Sequence, residues 1–229
     1  MSRARRRRST EPEVPAAEIA RDEEVAGYRC PACGETLYGW VAAHDPIDRS
    51  RIVLDHCEGC GLVVTRAPKP PDVAAELALL DRHRGRIVVP NRASFQGGIG
   101  GAQWAGLEPD RRRLHLNPRA AKLLLRQVGV EVLAGSTSFG RDSYLGMLQT
   151  LINAFTLRDN FARNAFAGRL PRESGRQKLS FALDAFVTAV VSIPIAIVSL
   201  PLELIGSLAR RGGTMRLQTV QDPPTPDLD

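Results

Sequence analysis

Four cysteines are the whole cysteine content of this 229-residue chain, and they stand as two Cys-x-x-Cys pairs, Cys30/Cys33 and Cys57/Cys60. Each pair is followed by a glycine, Gly34 and Gly61. A tight Cys-x-x-Cys turn sets two thiolates on one side of a metal. Glycine just beyond it lets the backbone curl until amide N–H groups point at sulfur. Two such turns joined by a hairpin offer four soft ligands in a tetrahedron, which suits Zn²⁺. Segments 37–41, 52–56 and 62–64 read as ribbon strands, so 27–66 is predicted to be a zinc ribbon with Cys30, Cys33, Cys57 and Cys60 as its ligands. Four protein ligands leave no open coordination position, which makes the metal structural. The paired spacing argues against a redox dithiol, and His44 and His56 are the only competitors for the metal. No cysteine is left for a disulfide elsewhere, which fits a reducing cytoplasm.

The net charge of +6 is unevenly spread. Arg3 and Arg5 to Arg8 form a basic arm, and an acidic stretch with Glu11, Glu13, Glu18, Asp22, Glu23 and Glu24 follows. Neither has the apolar periodicity to bury itself, so 1–26 reads as a disordered tail. The arm is either a solvated tail or a contact for anionic lipid or nucleic acid. No apolar h-region follows the arginines, so a secretory signal is not expected. The ribbon sets Arg29, Arg49 and Arg51 against Glu35, Asp45, Asp48, Asp55 and Glu58. An acidic ribbon is a poor phosphate binder, so packing or partner docking is expected of it rather than nucleic-acid binding.

A proline-rich linker at 67–75 leads into a larger region, 76–221, and then a polar, proline-broken tail at 222–229. Residues 76–83 read as a short helix and 86–89 as a buried strand stopped by Pro90. Asn117-Pro118 is a helix start, an N-cap followed by proline at N1, with Gly129 as the left-handed stop. Alternation predicts strands at 130–134 and 215–220, and one apolar stripe predicts a helix over 143–155.

The stretch VVPNRASFQGGIGGAQW at 88–104 joins a strand to a glycine-rich loop. A cofactor-binding turn needs its glycines directly after the strand, at a helix N-terminus, with an acidic residue ~20 positions on for the ribose. Here PNRASFQ intervenes and no such acid follows, so the loop is not read as a phosphate cradle.

VVPN at 88–91, Trp104, Leu107-Glu108-Pro109-Asp110-Arg111-Arg112, NPRAAKLLLRQVG at 117–129, VEVLA at 130–134 and GGTMRLQTV at 212–220 follow in a specific order. That order, after the CPACG and CEGCGLVV ribbon, resembles class I S-adenosylmethionine-dependent methyltransferases. It is most similar to the group that opens with a zinc ribbon and acts on sugars, quinones or cell-surface lipids. The resemblance covers 28–66 and 84–220 and implies that Asn91, Trp104, Arg111 and His115 sit near a substrate-side cleft. Arg112 stands where the family carries histidine. The family's first four strands and its glycine-rich cofactor loop belong between the ribbon and the 86–89 strand, and that stretch is missing. The resemblance is therefore to a truncated, degenerate member lacking the cofactor-binding half. No catalytic residue and no S-adenosylmethionine-binding residue is assigned, and binding of that cofactor by this chain alone is not expected.

The fold class implied is α+β, a partial α/β. It comprises an N-terminal zinc ribbon, a small three-stranded remnant of the methyltransferase sheet, helices and an apolar helical hairpin. With its neighbour missing, strand 86–89 would present an unpaired edge, a surface for a homodimer or a partner protein.

From Ala185 to Leu202 no residue is charged, a length close to the ~18–20 residues of a membrane span. Pro194 and Pro201 interrupt the run, so 181–209 is read as two helices split near Pro194, each too short to cross a bilayer. Arg169, Arg172, Arg176, Lys178, Arg210 and Arg211 flank it, as an interfacial segment on an anionic membrane surface, 181–211, would require. Burial in a soluble core is the rival reading.

The expected function is that of a methyltransferase-like protein with structural zinc, non-catalytic or accessory, cytoplasmic and peripheral on the inner membrane face. The alternatives are an active methyltransferase that completes its cofactor site with a partner chain, and a zinc-ribbon nucleic-acid-binding adaptor.

Overall fold

The computed structural model describes residues 28–83 and 85–221. The basic arm and acidic stretch of 1–26 and the tail at 222–229 lie outside the described residues. In chain order the elements are β1 (Leu37–His44), β2 (Arg51–Cys57), β3 (Val63–Thr65), α1 (Val73–Ala78), β4 (Asp81–His83), β5 (Arg86–Pro90) and α2 (Phe95–Gly100). They continue with β6 (Leu114–His115), α3 (Pro118–Gln127), β7 (Val130–Ser136), α4 (Arg141–Asn153), α5 (Phe161–Phe166), α6 (Gly175–Leu208) and β8 (Thr214–Gln221). The fold is mixed α+β. Its strands form two four-stranded sheets, ordered β1-β2-β3-β6 and β4-β5-β8-β7, and every pairing is antiparallel.

The first sheet is the ribbon extended by one strand. Asp45 turns the chain between β1 and β2, its Oδ1 accepting from the backbone N–H of Ile47 at 2.6 Å and of Asp48 at 3.2 Å. The fourth strand comes from beyond the proline-rich linker, with Val63 opposite His115 and Val64 opposite Leu114. One buried cluster joins Cys30, Leu37 and Leu62 to Leu77, Ile87, Leu124, Met215 and Leu217. The ribbon and the region after it therefore share a core.

The second sheet has four strands where three were expected. Asp72 caps α1 by accepting from Ala75 N–H at 3.1 Å, which starts the helix earlier than 76 and ends it at Ala78. Residues 81–83 are thus free to turn back at Gly85, φ +73°, and pair with β5. Strand 86–89 consequently has no exposed edge, because β4 lies on one side and β8 on the other. Unpaired backbone groups on a strand are costly, and the nearest chain supplies the partners.

The helical hairpin expected over 181–209 does not form. α6 is one helix of 34 residues with both prolines inside it, opened by a capping box between Ser174 and Gln177. Pro194 and Pro201 both lie on its exposed side. Each proline removes one helix hydrogen bond there, and the helix continues through the defect.

Candidate metal centre and the outer face of the long helix

The two Cys-x-x-Cys turns are built alike. Cys30 N–H donates to Glu35 O at 2.8 Å and Gly34 N–H to Cys30 O at 2.9 Å. In the second turn, Cys57 N–H donates to Leu62 O at 2.9 Å and Gly61 N–H to Cys57 O at 2.7 Å. Gly34 and Gly61 take φ of +78° and +73°, the left-handed backbone that glycine adopts at least cost.

The four sulfurs lie within 4.8 Å of one another, with Cys30 3.6 Å from Cys60 and Cys33 3.4 Å from Cys57. Tetrahedral thiolate coordination with ~2.3 Å bonds puts sulfurs ~3.8 Å apart, so this cluster could hold a metal ion. Burial pushes the Cys60 thiol up to about 11 and the Cys30 thiol further up. A bound dication supplies the charge that holds such sulfurs as thiolates. Only Cys33 is exposed.

Three of the positions that the sequence placed by a substrate-side cleft are held by hydrogen bonds or an ion pair. Asn91 is buried, donating from Nδ2 to Gly212 O at 3.1 Å and accepting from Ala93 N–H at 3.1 Å, so it ties the end of β5 to the start of β8. His115 is buried in β6 with Nε2 2.9 Å from Thr65 Oγ1. Arg111 is half-exposed and pairs with Glu108 at 3.6 Å. Trp104 alone lines a cavity, together with His44, Glu108, Asp110, Asp159 and Asn160. Burial raises the Asp159 carboxyl to about 6. Arg92, not singled out in the sequence, stacks 4.0 Å from the Trp40 ring centroid and 6.0 Å from that of Trp104.

The glycine-rich loop is not a cradle either. Ser94 caps α2 through Gly97 N–H at 3.0 Å, and the glycines lie in that helix and the 3₁₀ turn after it. Two of them pack closely: a Cβ on Gly97 would sit 2.6 Å from Arg92 O and one on Gly100 2.5 Å from Thr150 Cγ2 of α4, while Gly98 and Gly101 face open space.

α6 reverses the usual polarity of a surface helix. Its buried residues are Asp184, Ser199, Glu203 and Gly206. Glu203 Oε1 accepts from Gly213 N–H at 2.9 Å, and Oε2 accepts from Gln96 Nε2 at 3.2 Å. Asp184 Oδ1 accepts from Leu157 N–H at 2.6 Å. Burial raises both carboxyls. The opposite side is apolar and open: Leu179, Leu183, Phe186, Val190, Ile193, Ile197, Leu200 and Leu204 are all exposed, Ile193 at 73%. By length and composition this is one helix that could cross a membrane, and only 11% of its most apolar 18-residue stretch is buried. Contiguous apolar surface on this scale marks a contact face.

Compared with protein-family models, curated proteins and solved structures, the chain has no match in any of the three.

Proposed function

We propose that this is a non-catalytic accessory protein, stapled by structural zinc, that works at a membrane surface through the outer face of α6. The observation carrying this reading is the reversal in α6, carboxylates inward and large aliphatic side chains outward. Water disfavours that arrangement and a lipid surface rewards it at ~25 cal/mol per Å² of apolar area removed from water. Zinc is the metal that an all-cysteine tetrahedral set suits best, and such closed sites stabilise a fold rather than catalyse.

The kinship with zinc-ribbon methyltransferases belongs to the same reading. It is supported by β8, which returns after the apolar helix to pair with both β5 and β7, as the resemblance requires of the last strand. An accessory role follows from the missing cofactor half. Vesicle flotation tests the membrane contact: the chain is expected to float with liposomes, and Ile193→Asp, on an exposed position, to abolish flotation without unfolding it. A soluble chain in the presence of liposomes would refute the membrane contact. Titration with S-adenosylmethionine tests the accessory role, and ordinary-affinity binding would refute it.

A further inference from the structure

Resting on that reading, we infer that the lipid is anionic phospholipid and that α6 lies flat on it, gripped at both ends by exposed cations. Between Lys178 and Arg210 the only charged side chains are Asp184 and Glu203, both fully buried. The exposed apolar line begins one turn after Arg176 and runs from Leu179 to Leu208. Arg172, Arg176 and Lys178 stand at its start, with Glu173 the one acid among them, and Arg210 and Arg211 stand at its end. All five cations are exposed, and none forms a salt bridge among the described residues. Arg172 stacks 3.6 Å from the Phe181 ring centroid, which holds this cation at the start of the helix.

The helix stays on the protein along its whole length. Phe181 meets Phe161 of α5 edge-on at 5.0 Å near one end. Tyr144 Oη donates to Ala196 O at 3.3 Å further along. At the other end, Gly206 lies so close to Phe95 that a Cβ would be 3.0 Å from the Phe95 Cβ. With 34 residues, α6 is ~50 Å long against a ~30 Å hydrocarbon core. A helix seated at both ends on one folded body, its polar side covered by protein, lies along the surface.

The exposed residues 179, 183, 186, 190, 193, 197, 200 and 204 also follow the alternating three- and four-residue spacing of a coiled-coil seam. Charge decides between a second copy and lipid. Both ends of α6 are basic, so pairing two copies in either direction sets cations against cations. The flanks of the seam carry exposed Ala182, Ala189, Val198 and Ile205 instead of a charged rim, and a two-helix contact would leave them in water. Anionic headgroups with acyl chains between them complement the whole face.

The test is flotation of the full chain with vesicles of phosphatidylcholine alone and of phosphatidylcholine mixed with phosphatidylglycerol. The mixed vesicles are expected to bind far more tightly. Arg172→Gln, Arg176→Gln and Lys178→Gln combined should cost on the order of 100-fold on them while leaving weak binding to phosphatidylcholine unchanged. Tryptophan placed at Leu179, Ile193 or Leu204 should be quenched alike by brominated lipid. Equal binding to both vesicles, unaltered by the triple substitution, would overturn the anionic preference while leaving the lipid contact intact. Quenching that deepens steadily along the helix would overturn the flat orientation. Failure to bind either vesicle, with a dimer in sedimentation that Ile193→Asp makes monomeric, would overturn this inference and the membrane reading together and assign the face to a second copy.

Discussion

Asn117 and Cys60 are joined by a hydrogen bond of 2.9 Å from the asparagine Nδ2 to the cysteine carbonyl, while Asn117 Oδ1 accepts from Ala120 N–H at 2.8 Å and caps α3. One side chain thus starts a helix of the larger region and braces the second metal-binding turn. Asn117→Ala removes both bonds in a buried place and is expected to cost ~2 kcal/mol. Asn117→Asp keeps the cap and loses the donor, so it should fall between. Denaturant unfolding of metal-loaded protein checks the ranking.

Metal removal should unfold more than the ribbon. Cys30, Cys57 and Cys60 belong to the same buried cluster as Leu124 of α3 and Met215 of β8. Stripping the metal leaves buried thiols with no cation, and the loss should spread to α3. Circular dichroism after chelation should show helix loss beyond what a separate ribbon, itself strand and turn, could produce. Unchanged helix content would show the two parts to be independent.

The metal cluster was legible in the sequence because its chemistry is local: two ligands and a glycine within each turn. Asn117, Pro118 and Gly129 bounded α3 for the same reason. The sequence failed where partners lie far apart along the chain. Three residues at 81–83 carry no strand pattern of their own and become a strand only because β5 offers an edge. Pro194 and Pro201 signal a break when read locally, yet both rings face outward and α6 runs on. Nothing near Asn91 or His115 in the chain announces Gly212 and Thr65, the partners that hold them inside. Glu203 lies in an apolar run that gives no hint of Gln96 more than 100 positions away.

Glu203→Ala should be more damaging than any change on the outer face of α6. It strands Gly213 N–H in a buried site, at ~1–3 kcal/mol for the unsatisfied group, and takes one of two acceptors from Gln96 Nε2, which keeps Ser143 O at 3.2 Å. Leu204→Ala, next along the chain but exposed, should shift stability by less than ~0.5 kcal/mol. Thermal melts in detergent-free buffer compare the two, and a reversed order would show that the outward face of α6 is packed in solution.

His115 should make the fold acid-sensitive. Thr65 Oγ1 donates to Arg112 O at 3.2 Å, so it accepts from His115 Nε2–H, leaving the buried Nδ1 without a partner. Burial first, then Arg112 and Arg92, depress the imidazole from its ordinary 6.5 to about 3. An unfolded chain takes up the proton below about 6.5, whereas the folded chain resists it until about 3. Stability from this group is therefore complete above 6.5 and erodes as pH falls toward 3, by up to ~1.4 kcal/mol per pH unit. His115→Gln keeps a donor for Thr65 and cannot titrate, so its stability should fall less steeply between pH 6.5 and 5. Ligand cysteines add their own acid dependence, which both proteins share and which cancels in the difference. Parallel slopes for the two would mean that the imidazole is reached by water and protonated in the folded state.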